Sequence, residues 1–248
     1  MSPRRSPSPS SPVALVTGAG TGLGKSLALA LAGDGFTIAL HCRSSREAAL
    51  ETQATIVSQG GVAELFQADL ATEAAALKMA ALLKTRFGRL DVLINNAGVY
   101  QDRLGLSLSE AEWFEGLHST VTQTFFTTRA LLPLLRADGL KRIINIGDSS
   151  ADRPGARDLA WSYHIGKTGV WMLTRSLAVS EAPHGIAVNM VSPGFLENSL
   201  GHLPLEEVPA GRLGSFQDVY QAVRFLALDA PSYLSGSNLV VSGGWNLR

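Results

Sequence analysis

Val13-Ala14-Leu15-Val16 runs directly into Thr17-Gly18-Ala19-Gly20-Thr21-Gly22-Leu23-Gly24, and helical periodicity follows from Leu23 to Ala32. A short apolar strand, a loop with alternate glycines and a helix form a unit with a physical purpose. Glycines permit the tight turn and let backbone approach an anion closely. The first-turn N–H groups of the helix are unpaired, and the helix dipole favours negative charge there. Gly18, Thr21, Gly22, Leu23 and Gly24 are therefore the candidate residues for a nucleotide pyrophosphate. A P-loop is excluded, because no Gly-Lys-Ser/Thr stands at the required spacing from an earlier glycine.

Outward from this unit one rhythm repeats. Buried strands are predicted at Val13–Thr17, Thr37–Cys42, Ala63–Gln67, Leu90–Ile94, Arg142–Ile146, Ala187–Val191 and Asn238–Val241. Helices are predicted at Leu23–Ala32, Arg46–Ser58, Glu73–Phe87, Glu110–Arg136, Leu159–Glu181 and Phe216–Leu228. Apolar strands alternating with amphipathic helices indicate βαβ units, hence an α/β fold with a parallel sheet covered on both faces. No linker-like stretch divides residues 13–248, which read as one domain. In such sheets ligands bind beyond the carboxyl ends of the strands, where the winding direction reverses.

Composition narrows the function. Among 248 residues, 21 Lys and Arg face 21 Asp and Glu, giving zero formal charge. That removes the electrostatic case for nucleic acid or an anionic membrane surface. No apolar run reaches the roughly 18–20 residues of a membrane span. The single cysteine, Cys42, excludes an intrachain disulfide framework and suggests a reducing, cytoplasmic setting. His41 and Cys42 point to opposite faces of a strand, and the other histidines show no ligand spacing, so no metal site is expected. The first twelve residues, MSPRRSPSPSSP, have too little to bury and read as a disordered tail, without the apolar stretch of a secretory signal.

The second strand ends in His41-Cys42-Arg43-Ser44. An NAD-preferring site places an acid here against the ribose hydroxyls, yet the first acid is Glu47. Arg43, with Ser44 beside it, suits a 2′-phosphate, so NADP(H) is expected over NAD(H). Farther along, Tyr163 and Lys167 stand four residues apart, on one face of a helix. A neighbouring ammonium favours phenolate and lowers the tyrosine pKa, so the pair is read as proton-transfer machinery.

Taken together, TGAGTGLG (17–24), Asp69-Leu70, NNAG (95–98), YHIGK (163–167), Pro193-Gly194 and SGG (242–244) resemble the short-chain dehydrogenase/reductase superfamily. The resemblance covers residues 13–248. It implies a Rossmann-type three-layer fold with a seven-stranded parallel sheet, a nicotinamide cofactor, a small-molecule substrate and a dimer or tetramer. It also implies that Asp69 touches the adenine and that Leu70, Asn95, Ala97 and Gly98 line the cofactor. Lys167 would hold the nicotinamide ribose, and Tyr163 would donate a proton to the substrate oxygen. Leu196 and Asn198, after Pro193 and Gly194, would sit near the carboxamide.

Two positions depart from the family pattern. Where the catalytic serine is expected, counting from the fifth strand gives Asp148, whereas counting back thirteen residues from Tyr163 gives Ser150. The loop is two residues longer than usual, and insertions collect in loops, so the strand ruler and Asp148 are preferred, with Ser149 and Ser150 as alternatives. Seven residues after Trp113, where the family has a relay asparagine, stands Thr120, whose hydroxyl can bond the preceding helical turn or a water. Pairing Asp with Tyr and Lys is similar to pteridine reductases, while the overall pattern is equally similar to 3-oxoacyl-carrier-protein reductases. The segment from Glu197 to Pro209, where the family carries its lid, is short.

Gly147-Asp148-Ser149-Ser150-Ala151 mimics a hydrolase nucleophile elbow but lacks its final glycine. A nucleotide-binding regulator without turnover has no chemical need for Tyr163 and Lys167. The expectation is NADPH-dependent reduction of a small C=O or C=N substrate.

Overall fold

A computed structural model describes residues 11–153, 155–199 and 205–245. Most of the tail segment read at 1–12, and residues 200–204 of the short lid segment, lie outside the described residues.

Seven strands form one fully parallel sheet: β1 (Val13–Val16), β2 (Thr37–Cys42), β3 (Ala63–Gln67), β4 (Val92–Asn95), β5 (Arg142–Ile146), β6 (Ala187–Pro193) and β7 (Asn238–Val241). Their order is β3-β2-β1-β4-β5-β6-β7. The helices are α1 (Gly22–Gly33), α2 (Arg46–Ser58), α3 (Glu73–Phe87), α4 (Glu110–Leu117), α5 (Gln123–Leu135), α6 (Trp161–Glu181) and α7 (Phe216–Arg224). No helix among the described residues is long and apolar enough to cross a membrane.

Period-2 alternation sends successive strand side chains to opposite faces. Ala14 and Val16 of β1 pack with Leu27 and Leu31 of α1 and Val219 and Val223 of α7. Val13 and Leu15 pack on the other face with Met79 and Leu83 of α3 and Leu131 and Leu135 of α5. This is the predicted three-layer Rossmann-type architecture. At the start of the strands, buried Asp91 accepts the Val13 and Leu140 N–H groups at 2.8 and 3.2 Å. A bidentate bond from Arg89, at 2.9 and 2.6 Å, compensates its charge. The N-termini of β1 and β5 are thus held through the residue just before β4.

The chain passes from β1 outward to β2 and β3, then returns to β4 on the other side of β1. That reversal opens a crevice beyond the carboxyl ends of β1 and β4. The Thr17 hydroxyl closes its base, accepting the Asn96 and Ala97 N–H groups at 2.9 and 3.1 Å.

Three helices differ from expectation, one of them the helix predicted over Phe216–Leu228, which ends as α7 at Arg224 and passes into a π-turn at Phe225–Asp229. The helix predicted over 110–136 is interrupted by a π-turn at His118–Thr122, joining α4 to α5. The helix predicted from Leu159 begins at Trp161. Leu159 instead forms a bridge with Leu104, and Ala160 is buried with φ +52, a left-handed backbone that cannot belong to an α-helix. Such strain in a non-glycine residue persists only where its surroundings impose it; here it sets the start of the helix carrying Tyr163 and Lys167.

Candidate functional site

The glycine loop is shaped for close approach. A Cβ at Gly24 would lie 2.2 Å from the Gly18 carbonyl oxygen, so only glycine lets α1 pack on its own preceding loop. Thr21 precedes α1 but its side chain makes no capping bond, and no acidic residue occupies the first turn. The N–H groups of that turn are left facing the crevice, a donor set suited to a pyrophosphate.

Two cavities open on the crevice, of about 430 and 680 Å³. Leu23, Asn96 and Gly98 line both, so the two adjoin. Gly18, Thr21 and Gly24 border the smaller one, with Arg43, Ser44 and Asp69 along its far side and Ala97 toward α5. Gly22 lies at the start of α1, where a Cβ would be 3.4 Å from the Asn198 side chain. Pro193, Gly194, Leu196 and Asn198 border the larger cavity.

Two expected lining residues are displaced. The Asn95 side chain is buried, donating to Asn145 Oδ1 at 2.8 Å and Thr128 Oγ1 at 3.2 Å. It belongs to the floor beneath the site, because the last residue of β4 still pairs with β5. Its neighbour Asn96 reaches the cleft and donates to the Thr17 carbonyl at 2.9 Å. Leu70 packs in the core behind α3, leaving Asp69 and Ala71 at the cavity. Asp69 accepts the Ala71 N–H at 3.1 Å, which fixes that turn.

His41 is buried under the glycine loop. Its Nε2 meets the Ala68 carbonyl at 3.0 Å and its Nδ1 accepts the Gly18 N–H at 3.4 Å, an arrangement that requires neutral imidazole. Burial lowers its pKa to about 4, with Ala68 and Asp69 opposing the shift. The folded value lies below the unfolded one. The neutral ring's contribution is therefore complete above about pH 6.5, declines as pH falls below that value and is fully lost below about 4. Between pH 8 and pH 5 the native state should lose about 2 kcal/mol from this residue alone. Urea titrations at the two pH values check this: His41→Gln should lose correspondingly less than the parent. Equal losses would show that His41 does not carry the effect.

At the other end, Tyr163 and Lys167 lie one turn apart on α6 and both face the larger cavity. A Cβ at Gly166 would be 1.9 Å from Thr120 Oγ1, so a glycine between the pair lets α6 press against the π-turn. Lys167 is buried and donates to the Ile146 carbonyl at 2.6 Å, with its Nζ 5.6 Å from the Tyr163 ring centroid. Burial lowers its ammonium to about 8, with Asp148 opposing.

The expected lowering of Tyr163 is not found. Burial pushes the phenol up, and Asp148 and then Tyr100 add to the rise. Desolvation and a neighbouring carboxylate outweigh the ammonium, which is held on the Ile146 carbonyl. Tyr163 is thereby kept protonated, the state a proton donor needs.

The two rulers for the serine position meet at one hydrogen-bonded unit. Asp148 Oδ1 accepts the Ser150 N–H at 2.9 Å and also the Ser150 hydroxyl. Asp148, Ser149 and Ser150 all line the larger cavity. Thr120 does not line either cavity. Its hydroxyl donates to the Gly116 carbonyl at 2.5 Å, satisfying the helix around the π-turn, so it is not placed as a direct catalytic contact.

Three residues were not singled out from sequence. Tyr100 meets the Tyr163 ring edge-on at 5.3 Å, and His164 meets it at 5.4 Å. His164 Nδ1 lies 3.9 Å from Asp148 Oδ1, and burial lowers its pKa. Tyr100 follows NNAG beyond the carboxyl end of β4, a position where lining residues are expected. Glu115 of α4, which carries no motif signal, pairs with Arg43 Nη2 at 2.7 Å.

A family model described as short chain dehydrogenase matches residues 12–203. The chain is 36% identical over 241 residues to a 3-oxoacyl-acyl-carrier-protein reductase of Synechocystis, covering 94% of this chain and 96% of that protein. It is 33% identical over 241 residues to a protein of the same name from Staphylococcus aureus, covering 93% and 96%. A solved structure of a candidate short-chain alcohol dehydrogenase from Sinorhizobium meliloti superposes with a TM-score of 0.86 at 30% identity, over 94% of this chain and 96% of that one.

Proposed function

The chain belongs to the short-chain dehydrogenase family of oxidoreductases, and on that premise we propose that it is an NADPH-dependent reductase of a small carbonyl substrate of the 3-oxoacyl type. The observation that carries this reading is that the cavity at the glycine loop and the cavity at Tyr163 and Lys167 share Leu23, Asn96 and Gly98 as a common wall. The similarity to two 3-oxoacyl-acyl-carrier-protein reductases supports the substrate class.

The residues fit a dinucleotide. The Thr17–Gly24 loop and the first turn of α1 would hold the pyrophosphate. Arg43 and Ser44 would take the 2′-phosphate and Asp69 the adenine side. Lys167 would hold the nicotinamide ribose, with Leu196 and Asn198 near the carboxamide. A reduced nicotinamide held there would supply hydride to the substrate carbon. Tyr163 then gives its proton to the substrate oxygen, and the unit of Asp148 and Ser150 orients that oxygen toward the phenol. A dimer or tetramer acting in the cytoplasm belongs to the same reading.

A second reading is favoured by one observation: a carboxylate, Asp148, shares the cavity wall with Tyr163 where the family has a serine. A carboxyl group suits protonation of nitrogen, as in C=N reduction by pteridine reductases. NADPH oxidation measured across 3-oxoacyl thioesters and oxidised pterins separates the two. Turnover of the thioesters is expected; turnover confined to pterins would transfer the assignment to C=N chemistry. Tight NADPH binding with no turnover on either class would leave a regulator.

A further inference from the structure

The adenine end of the crevice is spanned by an ion pair. Arg43 follows β2, and the Gln67 amide fixes its backbone by donating to the Arg43 carbonyl at 3.0 Å. Its guanidinium pairs with Glu115 on α4, with Nη2 2.7 Å from Oε1. The next turn of that helical stretch supplies His118 and Ser119 to the same cavity that Arg43 lines. The pair therefore ties together the two walls between which the adenosine half of a dinucleotide would lie.

A carboxylate oxygen engages a guanidinium through the same charge-assisted hydrogen bonds as a phosphate oxygen. Glu115 and a 2′-phosphate are thus rivals for one partner. We propose that Glu115 is a cofactor-specificity residue: it occupies Arg43 in the free protein, must be displaced by the 2′-phosphate of NADPH, and need not move for NADH. This rests on the assignment of Arg43 to the 2′-phosphate. Glu115 consequently narrows the NADPH preference that Arg43 alone would give. The partners are 45% and 38% exposed, so the competition is modest and an exchange of partners is accessible.

The test is titration of NADPH and NADH, followed by protein fluorescence, against the full-length parent, Glu115→Gln, Arg43→Gln and the double variant. Glu115→Gln should tighten NADPH by about two- to fivefold, the range an exposed ion pair can be worth, and leave NADH unchanged. In the Arg43→Gln background the same substitution should gain less, because only repulsion between Glu115 and the phosphate is left to relieve; an equal gain in both backgrounds would overturn the competition. Unchanged or weakened NADPH binding in Glu115→Gln, while Arg43→Gln still loses NADPH, would overturn the competition and leave the cofactor assignment standing. Undiminished NADPH binding in Arg43→Gln would overturn both. Glu115→Ala serves the same comparison if the glutamine variant fails to fold.

Discussion

Tyr163→Phe is expected to lower turnover by about 10²- to 10⁴-fold while leaving the NADPH dissociation constant nearly unchanged. The substitution removes one hydroxyl group and keeps the ring that packs edge-on against Tyr100 at 5.3 Å. Lys167 keeps its bond to the Ile146 carbonyl, since the phenol is not what holds it. The loss should therefore fall on kcat. Burial and Asp148 both hold Tyr163 in its protonated form, so the hydroxyl is loaded for donation before substrate arrives. Steady-state kinetics with a parallel binding titration make the check. Retained turnover would move the donor role away from Tyr163, with Asp148 and His164 as the neighbouring groups able to take it.

The second large effect is expected at the opposite end of the crevice. Arg43→Glu should weaken NADPH by about 10²-fold or more, because charge-assisted hydrogen bonds worth about 1.5–3 kcal/mol each are replaced by repulsion of the 2′-phosphate. It also leaves Glu115 without its cation and adds a second carboxylate nearby, which compounds the repulsion. NADH, lacking that phosphate, should bind within a few-fold of the parent. Paired titrations of the two cofactors measure the ratio directly. An unchanged ratio would remove Arg43 from the cofactor site.

The fold was legible because its signals are local. Strand and helix periods, the glycine loop and the buried runs at Val13–Val16 and Ile38–Leu40 each speak within a few residues, and tertiary packing agrees with them. The elements that misread depend on distant partners. Asn95 and Asn96 are adjacent and chemically identical in the sequence. Only the pairing of β4 with β5 buries the first against Asn145, fifty residues on, and leaves the second at the cleft. The helix over 110–136 has continuous apolar periodicity, and nothing local announces the π-turn against which Gly166 packs.

The candidate site was legible where family motifs mark it and silent elsewhere. The choice between Asp148 and Ser150 could not be made by counting, because the loop folds both onto one hydrogen-bonded unit. The tyrosine pKa ran opposite to expectation because spacing reports the ammonium but not the desolvation. Glu115 lies seventy-two residues from Arg43 and enters the site only through the tertiary fold.

The most direct measurement of the central claim follows the hydride itself. NADPH carrying deuterium at the transferable C4 position would be incubated with a 3-oxoacyl thioester and the product examined by mass spectrometry and NMR. One deuterium is expected on the former carbonyl carbon of the hydroxyacyl product, and none with Tyr163→Phe at matched enzyme and time. Saturating NADPH binding without deuterium transfer to a carbonyl carbon would contradict the reductase assignment.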